Sequence, residues 1–433
     1  MSQDLFSSQD IDRGTRLLLK VLSQTLDQDL SQSRPWPKRI LDAGCGVGVL
    51  GICAAQALTR AGVGPLLVRS QDRDELARIF TQENAARNGL GPALLRAHTE
   101  ALLDCPPGER WDLILSNIPA KAGLPVLEDF VNRSAALLSP GGRVMLVAVA
   151  TLADFFRTRL REAAATILRE EAGTEHRVFV YTSGAAGNAG APEQAAPEPR
   201  VWRPCYLRSS ARYEMEGVGY RITAVHGAAE FDRPGGAAEA AAKLLSRLGP
   251  LFPTGKKGEF RALIHEGGQG HFPLWFLEFL KKAGQALPEL LVLRGRNILA
   301  LEAAQGNIAA AGHTTGGACR LCVSPGVVLN RPPARPDRPD QIDRGLGEQR
   351  CAFIAAFPPA PPKTASPASP IIDPYRELWD SLEALLLPGG TALLAFPAAE
   401  ADRFDRKKIA GFSRLGDLKR RGFRALAYQR QGY

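Results

Sequence analysis

The sequence predicts an α/β protein of two tandem domains, each a mostly parallel sheet with helices on both faces. Three observations carry this. Short apolar runs alternate with longer runs at helical spacing, the pattern of βαβ units. A stretch rich in Ala, Gly and Pro, "SGAAGNAGAPEQAAPEPRVWRP" at 183–204, has no periodicity and reads as a linker. The two parts it separates repeat one another in order. The expected domains are 1–182 and 205–433, and 433 residues are too many for one ordinary core.

In the first part "RILDA" and "PLLVRS" are short apolar strands. "DELARIFTQENAARNG" is a helix with Leu76, Ile79, Phe80 and Ala86 at helical spacing, closed by Gly89. "WDLILSN" is the next strand. "VLEDFVNRSAALLSPGG" is a helix stopped by Pro140, Gly141 and Gly142, and "RVMLVAVA" and "HRVFVYTSG" are the last strands. The second part answers in kind. "FRALIHEGGQG" stands where "RILDAGCGVG" stood, "CAFIAAFPPA" echoes "WDLILSNIPA", and "EFDRPGGAAEAAAKLL" echoes "DIDRGTRLLLKVL". Two Pro-rich inserts, 330–350 and 358–374, read as loops.

Composition narrows the class. Hydrophobic residues are 45% and charged residues 23%, a globular balance. No apolar run approaches the roughly 20 residues that span a bilayer. The N-terminus lacks a charged-then-apolar leader, so a cytoplasmic protein without a membrane partner is expected. Seven scattered cysteines fit a reducing compartment. The net charge of +9 permits a polyanionic partner such as RNA, and equally a merely basic soluble protein.

The chemistry concentrates in the first part. "ILDAGCGVGVLG" is a strand, a glycine turn and a helix start. Gly44, Gly46 and Gly48 let the backbone turn tightly and approach a ligand, and Cys45 lies inside the turn. A carboxylate at Asp42 would repel a pyrophosphate arriving there. It suits a cationic cofactor without phosphate, such as S-adenosylmethionine. An acid at the next strand tip normally meets ribose hydroxyls. Asp72 is the first candidate and Asp74 the second; capping the following helix is the other role open to Asp72. His98 and Thr99, at the third strand tip, are candidates for an adenine pocket or for a solvated turn. Asn117 ends the fourth strand, where open parallel sheets place ligands. Its amide oxygen and the carbonyl of Ile118, before Pro119, could hold both hydrogens of an amine. Capping the strand end is the plainer role.

With these residues in place, the first part resembles class I, Rossmann-like S-adenosylmethionine-dependent methyltransferases. It resembles most the small-domain family of rRNA guanine-N2 methyltransferases, over about residues 4–182. The family opens with a segment of the type "VFS-x-D-x-x-D-x-G-[ST]-x-L-L"; here the chain reads "LFSSQDIDRGTRLLL" at 5–19. Its signature N-P-P-[YF] becomes Asn117-Ile118-Pro119-Ala120, so the backbone carbonyl survives and the aromatic does not. The resemblance implies methyl transfer to an exocyclic amine, most directly guanine N2 of rRNA, with RNA as partner and no metal. Asp42, Gly44, Cys45, Gly46, Gly48, Asp72, Thr99 and Asn117 would hold the cofactor, and Asn117, Ile118 and Pro119 the amine. Phe6 and Asp12 would cover the site as a lid, or Phe6 would be plain core. The ring that stacks a flipped base is worth about 1–3 kcal/mol. Its absence leaves methylation of a ribosomal or translation protein as an alternative. A non-catalytic RNA-binding or assembly protein is the third reading.

The second part resembles the same fold in decayed form. Aligned on Gly270, Ile264 replaces Asp42, Glu266 replaces Gly44, and Phe357 replaces Asn117. It should bind no S-adenosylmethionine in the usual way. Related two-domain rRNA enzymes usually carry the degenerate copy first; here the order is reversed. Its role is expected to be RNA binding or support, motivated by the basic end "RKKIAGFSRLGDLKRRGFR", which also reads as a solvated basic helix. Cys319 and Cys322 form a CxxC near His313, without a second pair for zinc, and read as packing.

Overall fold

Ile40 has a parallel neighbour on each side, Val68 on one strand and Leu113 on another. It belongs to β1, Arg39–Ala43, which lies between β2, Leu67–Asp72, and β4, Trp111–Asn117. This is a computed structural model, and it describes residues 10–184, 203–229, 233–249, 260–314, 319–327, 329, 350–359 and 373–432. Phe6, most of the expected linker and most of both Pro-rich inserts lie outside the described residues. The chain divides into two compact units, with the division between 200 and 207.

The first unit holds a seven-stranded sheet in the order β3-β2-β1-β4-β5-β7-β6. β3 is Leu95–Thr99, β5 is Leu138–Val149, β6 is Thr166–Ala172 and β7 is His176–Thr182. Only the pairings of β7, with β5 and with β6, are antiparallel. The strand order reverses between β1 and β4, so their carboxyl ends open a crevice. Helix α1, Arg13–Ser31, precedes β1; α2, Val49–Arg60, α3, Glu75–Arg87, α4, Leu124–Ser134, and α5, Ala153–Glu162, follow within the alternation. One core joins Leu18, Val21, Ile40, Val68, Leu113 and Met145, all nearly sealed from solvent.

The second unit repeats the order as β12-β11-β10-β13-β14-β16-β15. These strands are β10, Arg261–His265, β11, Leu290–Gly295, β12, Arg320–Pro325, β13, Cys351–Ala356, β14, Leu386–Pro397, β15, Phe412–Arg420, and β16, Phe423–Arg430. A separate hairpin, β8, Leu207–Met215, and β9, Val218–Val225, comes before α6, Gly236–Leu248. Helix α7, His271–Lys282, packs the hairpin through Trp275, whose indole N–H donates to the carbonyl of Met215 at 2.9 Å. Helix α8 is Ile298–Ala310. Among the described residues no helix is long and apolar enough to cross a membrane.

Several local expectations change. α4 ends at Ser134, not at Pro140; Pro140, Gly141 and Gly142 lie within the span of β5, whose pairing with β4 shifts register there. α3 buries Glu75, Ala77, Thr81 and Ala85, while Ala86 is exposed. Its inner face must fit close to the glycine turn, so small and polar residues take it. β6 was not expected: "TILREEA" is mostly exposed because an edge strand with one open face needs no apolar run. The basic end forms β15 and β16 rather than a helix. Its cations are largely answered inside the unit. Arg414 pairs with Asp405, Arg424 with Asp402 and Asp417, Arg420 with Glu216 at 2.7 Å, and Arg421 with Glu239 at 2.8 Å. Cys319 belongs to one core of the second unit and Cys322 packs against another. His313 faces Glu278 at 2.8 Å.

Candidate active site

The turn after β1 is shaped by three glycines in the left-handed region: Gly44 at φ +76°, Gly46 at +56° and Gly48 at +87°. Neighbouring elements then latch it. The N–H groups of Gly44 and Cys45 donate to the carbonyl of Gln71, at 2.9 and 3.0 Å. The N–H of Gly46 donates to Asp72 Oδ2 at 3.1 Å. From α3, Thr81 Oγ1 donates to the carbonyl of Gly46 at 3.1 Å, and Asn84 Nδ2 to that of Val47 at 2.9 Å. Cys45 is buried, its sulfur 3.4 Å from Thr81 Oγ1. Thr81 and Asn84 were not singled out from sequence. Their signal was only that two polar residues sit on the inner side of a helix.

Asp42 is fully buried. Its Oδ2 accepts from the N–H of Gly51 at 2.8 Å. Its Oδ1 has no hydrogen-bond partner among the described residues. Burial pushes the carboxyl up to about 7 against the pull of the Gly51 hydrogen bond. A buried acceptor left open is costly unless something answers it. A cationic group fits that position, and a phosphate does not. Gly51, the last glycine of G-x-G-x-x-G, serves this carboxylate. A Cβ there would stand 2.7 Å from Ser70 Oγ and 2.9 Å from Asp42 Oδ2.

Asp72 lies at the tip of β2, in register with Thr99 on β3. Its carboxylate joins the glycine turn to the next loop, accepting also from the N–H of Asp74 at 3.0 Å. Burial raises its pKa, and the two backbone hydrogen bonds oppose the rise. Asp74 is the residue that caps α3, accepting from the N–H of Leu76 at 2.9 Å. Thr99 is buried, and its hydroxyl donates to Glu75, which also pairs with Arg78. His98 lies beside Arg69, ring nitrogen to guanidinium at 3.4 Å.

Asn117 ends β4, half-buried. Its Nδ2 donates to Asp12 Oδ2 at 3.1 Å and to Thr15 Oγ1 at 2.9 Å. Asp12 is therefore both the cap of α1 and a holder of Asn117. Ser116, one residue earlier, donates from its buried hydroxyl to the carbonyl of Ala43 at 2.8 Å, which ties the tips of β4 and β1 together. The N–H of Ile118 reaches the carbonyl of Val147 at 3.3 Å, and its side chain is buried. Pro119, Ala120 and Lys121 are exposed, and no ring stands at position 120.

The second unit keeps the frame with different residues at these positions. Glu266 holds φ +56° where Gly44 holds +76°. Its N–H donates to the carbonyl of Arg294, as Gly44 donates to Gln71. Its carboxylate accepts from the N–H of Arg296 at 2.8 Å, so it folds over the β11 tip. Phe357 packs edge-on against Phe272, with ring centroids 4.9 Å apart.

Fold and site together define a class I, Rossmann-like methyltransferase domain. Residues 1–170 match the family model described as methyltransferase small domain. Among curated relatives, a ribosomal protein L11 methyltransferase of Parasynechococcus marenigrum (strain WH8102) is 37% identical over 120 residues, 27% of this chain and 38% of that protein. A ribosomal RNA small subunit methyltransferase C of Actinobacillus pleuropneumoniae serotype 3 (strain JL03) is 28% identical over 152 residues, 34% of this chain and 41% of that protein. The matches thus span about two fifths of these relatives' lengths. Among solved structures, the 16S rRNA N2 methyltransferase RsmC of T. thermophilus, in complex with AdoMet and guanosine, aligns with a TM-score of 0.57. The alignment covers 100% of this chain and 95% of that one at 18% identity, a likeness of fold.

Proposed function

We propose that the first unit transfers a methyl group from S-adenosylmethionine to an exocyclic amine, guanine N2 of ribosomal RNA, in the cytoplasm. One observation carries the reading. The open carboxylate oxygen of Asp42 and the amide of Asn117 stand at the carboxyl ends of adjacent strands, joined by the Ser116–Ala43 hydrogen bond. When bound, the cofactor supplies an electrophilic methyl on a sulfonium. Asp42 and the turn Gly44–Gly48 hold its cationic end, and Asp72 accepts from its ribose. Cys45 and Thr99 line the neighbourhood through backbone and packing. The Asn117 amide oxygen and the Ile118 carbonyl each accept one hydrogen of the target amine, with Pro119 stiffening the turn. That leaves the amine lone pair directed outward and asks for little base catalysis, because positioning supplies much of the rate.

RNA is the partner this reading favours, as an accessible or flipped-out base. The names of the relatives support both an RNA and a ribosomal-protein substrate. The specific observation for a protein substrate is the exposed Ala120, which offers no ring to a base. For the second unit we infer a supporting or RNA-holding role without its own cofactor. The ion pairing of the basic end favours support. A tritiated-methyl assay on ribosomal RNA and ribosomal protein fractions tests the substrate: label in RNA is expected, and label confined to protein selects the alternative. No transfer to either, with calorimetry showing no S-adenosylmethionine binding, sinks the enzyme reading. Asn117→Ala is expected to bind cofactor normally and transfer at least about 100-fold more slowly.

A further inference from the structure

We propose that Thr15, with Asp12, is a positioning residue that fixes which way the amide of Asn117 faces. The proposal rests on the amine-gripping role given to Asn117 above and adds how that grip is aimed.

A free asparagine amide can turn either end toward the amine, and only the oxygen end accepts a hydrogen bond. Here the choice is forced. Asp12 has only acceptors to offer as a carboxylate. Its Oδ1 receives the N–H groups of Gly14 and Thr15, at 2.8 and 3.1 Å, which is its work as cap of α1. Its Oδ2 receives the Thr15 hydroxyl at 2.5 Å and Asn117 Nδ2 at 3.1 Å. Because the Thr15 hydroxyl spends its proton on Asp12, it meets Asn117 with a lone pair and accepts at 2.9 Å. Both neighbours demand the nitrogen end. The flipped amide would set its oxygen against a carboxylate and a lone pair. The carbonyl of Asn117 is therefore turned away from α1. Thr15 is buried, which keeps water from offering a substitute donor.

Gly14 completes the device. A Cβ there would stand 2.8 Å from His176 Cδ2 and 3.0 Å from Asp12 Oδ1, so a larger residue would push the carboxylate off its mark. The second unit supplies an internal control. Gly236 near the start of α6 stands against Phe423, the first residue of β16, as Gly14 stands against His176, the first residue of β7. The next residue is Ala237 where Thr15 would be, and Phe357 stands where Asn117 would be. The packing glycine persists, and the hydroxyl and the amide are absent together.

The test uses the full chain with Thr15→Val and Thr15→Ser. Three quantities are read: S-adenosylmethionine Kd, the single-turnover rate on ribosomal RNA at saturating cofactor, and hydrogen exchange of the Asn117 side-chain amide by NMR, assigned through Asn117→Asp. Thr15→Val is expected to leave Kd within about twofold, to slow transfer about 10- to 100-fold, and to speed amide exchange. Thr15→Ser is expected to restore rate and protection. A Thr15→Val protein with wild-type rate and exchange overturns the proposal. So does one in which Kd and rate fall together and serine restores neither, since that marks a structural residue. If the wild type methylates nothing but its Asn117 amide is protected in a Thr15-dependent way, the reaction assigned above fails and the orienting contact stands.

Discussion

The backbone N–H of Gly51 donates to Asp42 Oδ2 at 2.8 Å, and the other oxygen of that buried carboxylate has no partner among the described residues. Burial lifts its pKa from 3.8 to about 7. The unfolded chain gives up this proton near pH 4, the folded one near pH 7. The folded state then binds more protons in between, so the Asp42 contribution to stability falls as pH rises from about 4 to about 7 and is level above. A bound cation reverses the preference for the proton. S-adenosylmethionine is expected to bind more tightly at pH 8 than at pH 6, with proton release. Calorimetry in buffers of different ionisation heat reads both. A Kd independent of pH and without proton release would remove Asp42 from the binding site.

Asp42→Asn separates stability from binding. The amide keeps an acceptor for Gly51 and carries no charge. The cofactor-free variant is expected to melt higher than wild type at pH 8, with the difference shrinking by pH 5, and to bind S-adenosylmethionine at least about tenfold more weakly. A lower melting temperature at pH 8 would show that the buried charge is answered in a way the hydrogen bonds do not reveal.

Gly51→Ala tests the close approach. Its Cβ would meet Ser70 Oγ at 2.7 Å and Asp42 Oδ2 at 2.9 Å, both on short, buried side chains with little room to yield. A loss of about 1–3 kcal/mol in stability is expected, from overpacking. Cofactor affinity should fall with it, because the carboxylate moves. Denaturant melts and calorimetry on one preparation check both.

Asp72 and Asp74 are two residues apart and do different work. Asp74 caps α3 through the N–H of Leu76, so Asp74→Ala is expected to cost about 0.5–2 kcal/mol and leave cofactor affinity nearly unchanged. Asp72→Ala is expected to weaken cofactor binding more than it lowers stability. The opposite pattern in a paired measurement would exchange their roles.

The second unit is expected to take no cofactor. Titration of the full chain should reach one S-adenosylmethionine per chain. The reason is that Ile264 and Phe357 stand where Asp42 and Asn117 stand, and that Glu266, in the place of Gly44, folds its carboxylate onto the N–H of Arg296. Two sites per chain would overturn this.

Much of this was legible in the chain, and for local reasons. Gly44, Gly46 and Gly48 needed positive φ, so a tight turn after "RILDA" followed from the glycines alone. Strands and helices alternate with different periods, so the repeat of the two parts showed in the order of the runs. Where the reading failed, the deciding contact lay elsewhere. The end of α4 and the start of β5 were set by pairing with β4, not by Pro140. The inner face of α3 was set by the turn it packs on, which selects Thr81 over the apolar residues nearby. The basic end looked free in sequence because Glu216 and Glu239 lie far from it along the chain.

The α/β class, the doubling, the glycine turn with Asp42 before it, and Asn117 at a strand tip are all readable along the chain. Each is a property of a few adjacent residues and their allowed backbone angles. Which way the amide of Asn117 faces is settled by folding, because its partners Thr15 and Asp12 are 102 and 105 residues away. Folding likewise leaves one oxygen of the buried Asp42 without a partner among the described residues. Hydrogen-bond direction and desolvation depend on what is near in space, and distance along the chain does not report it.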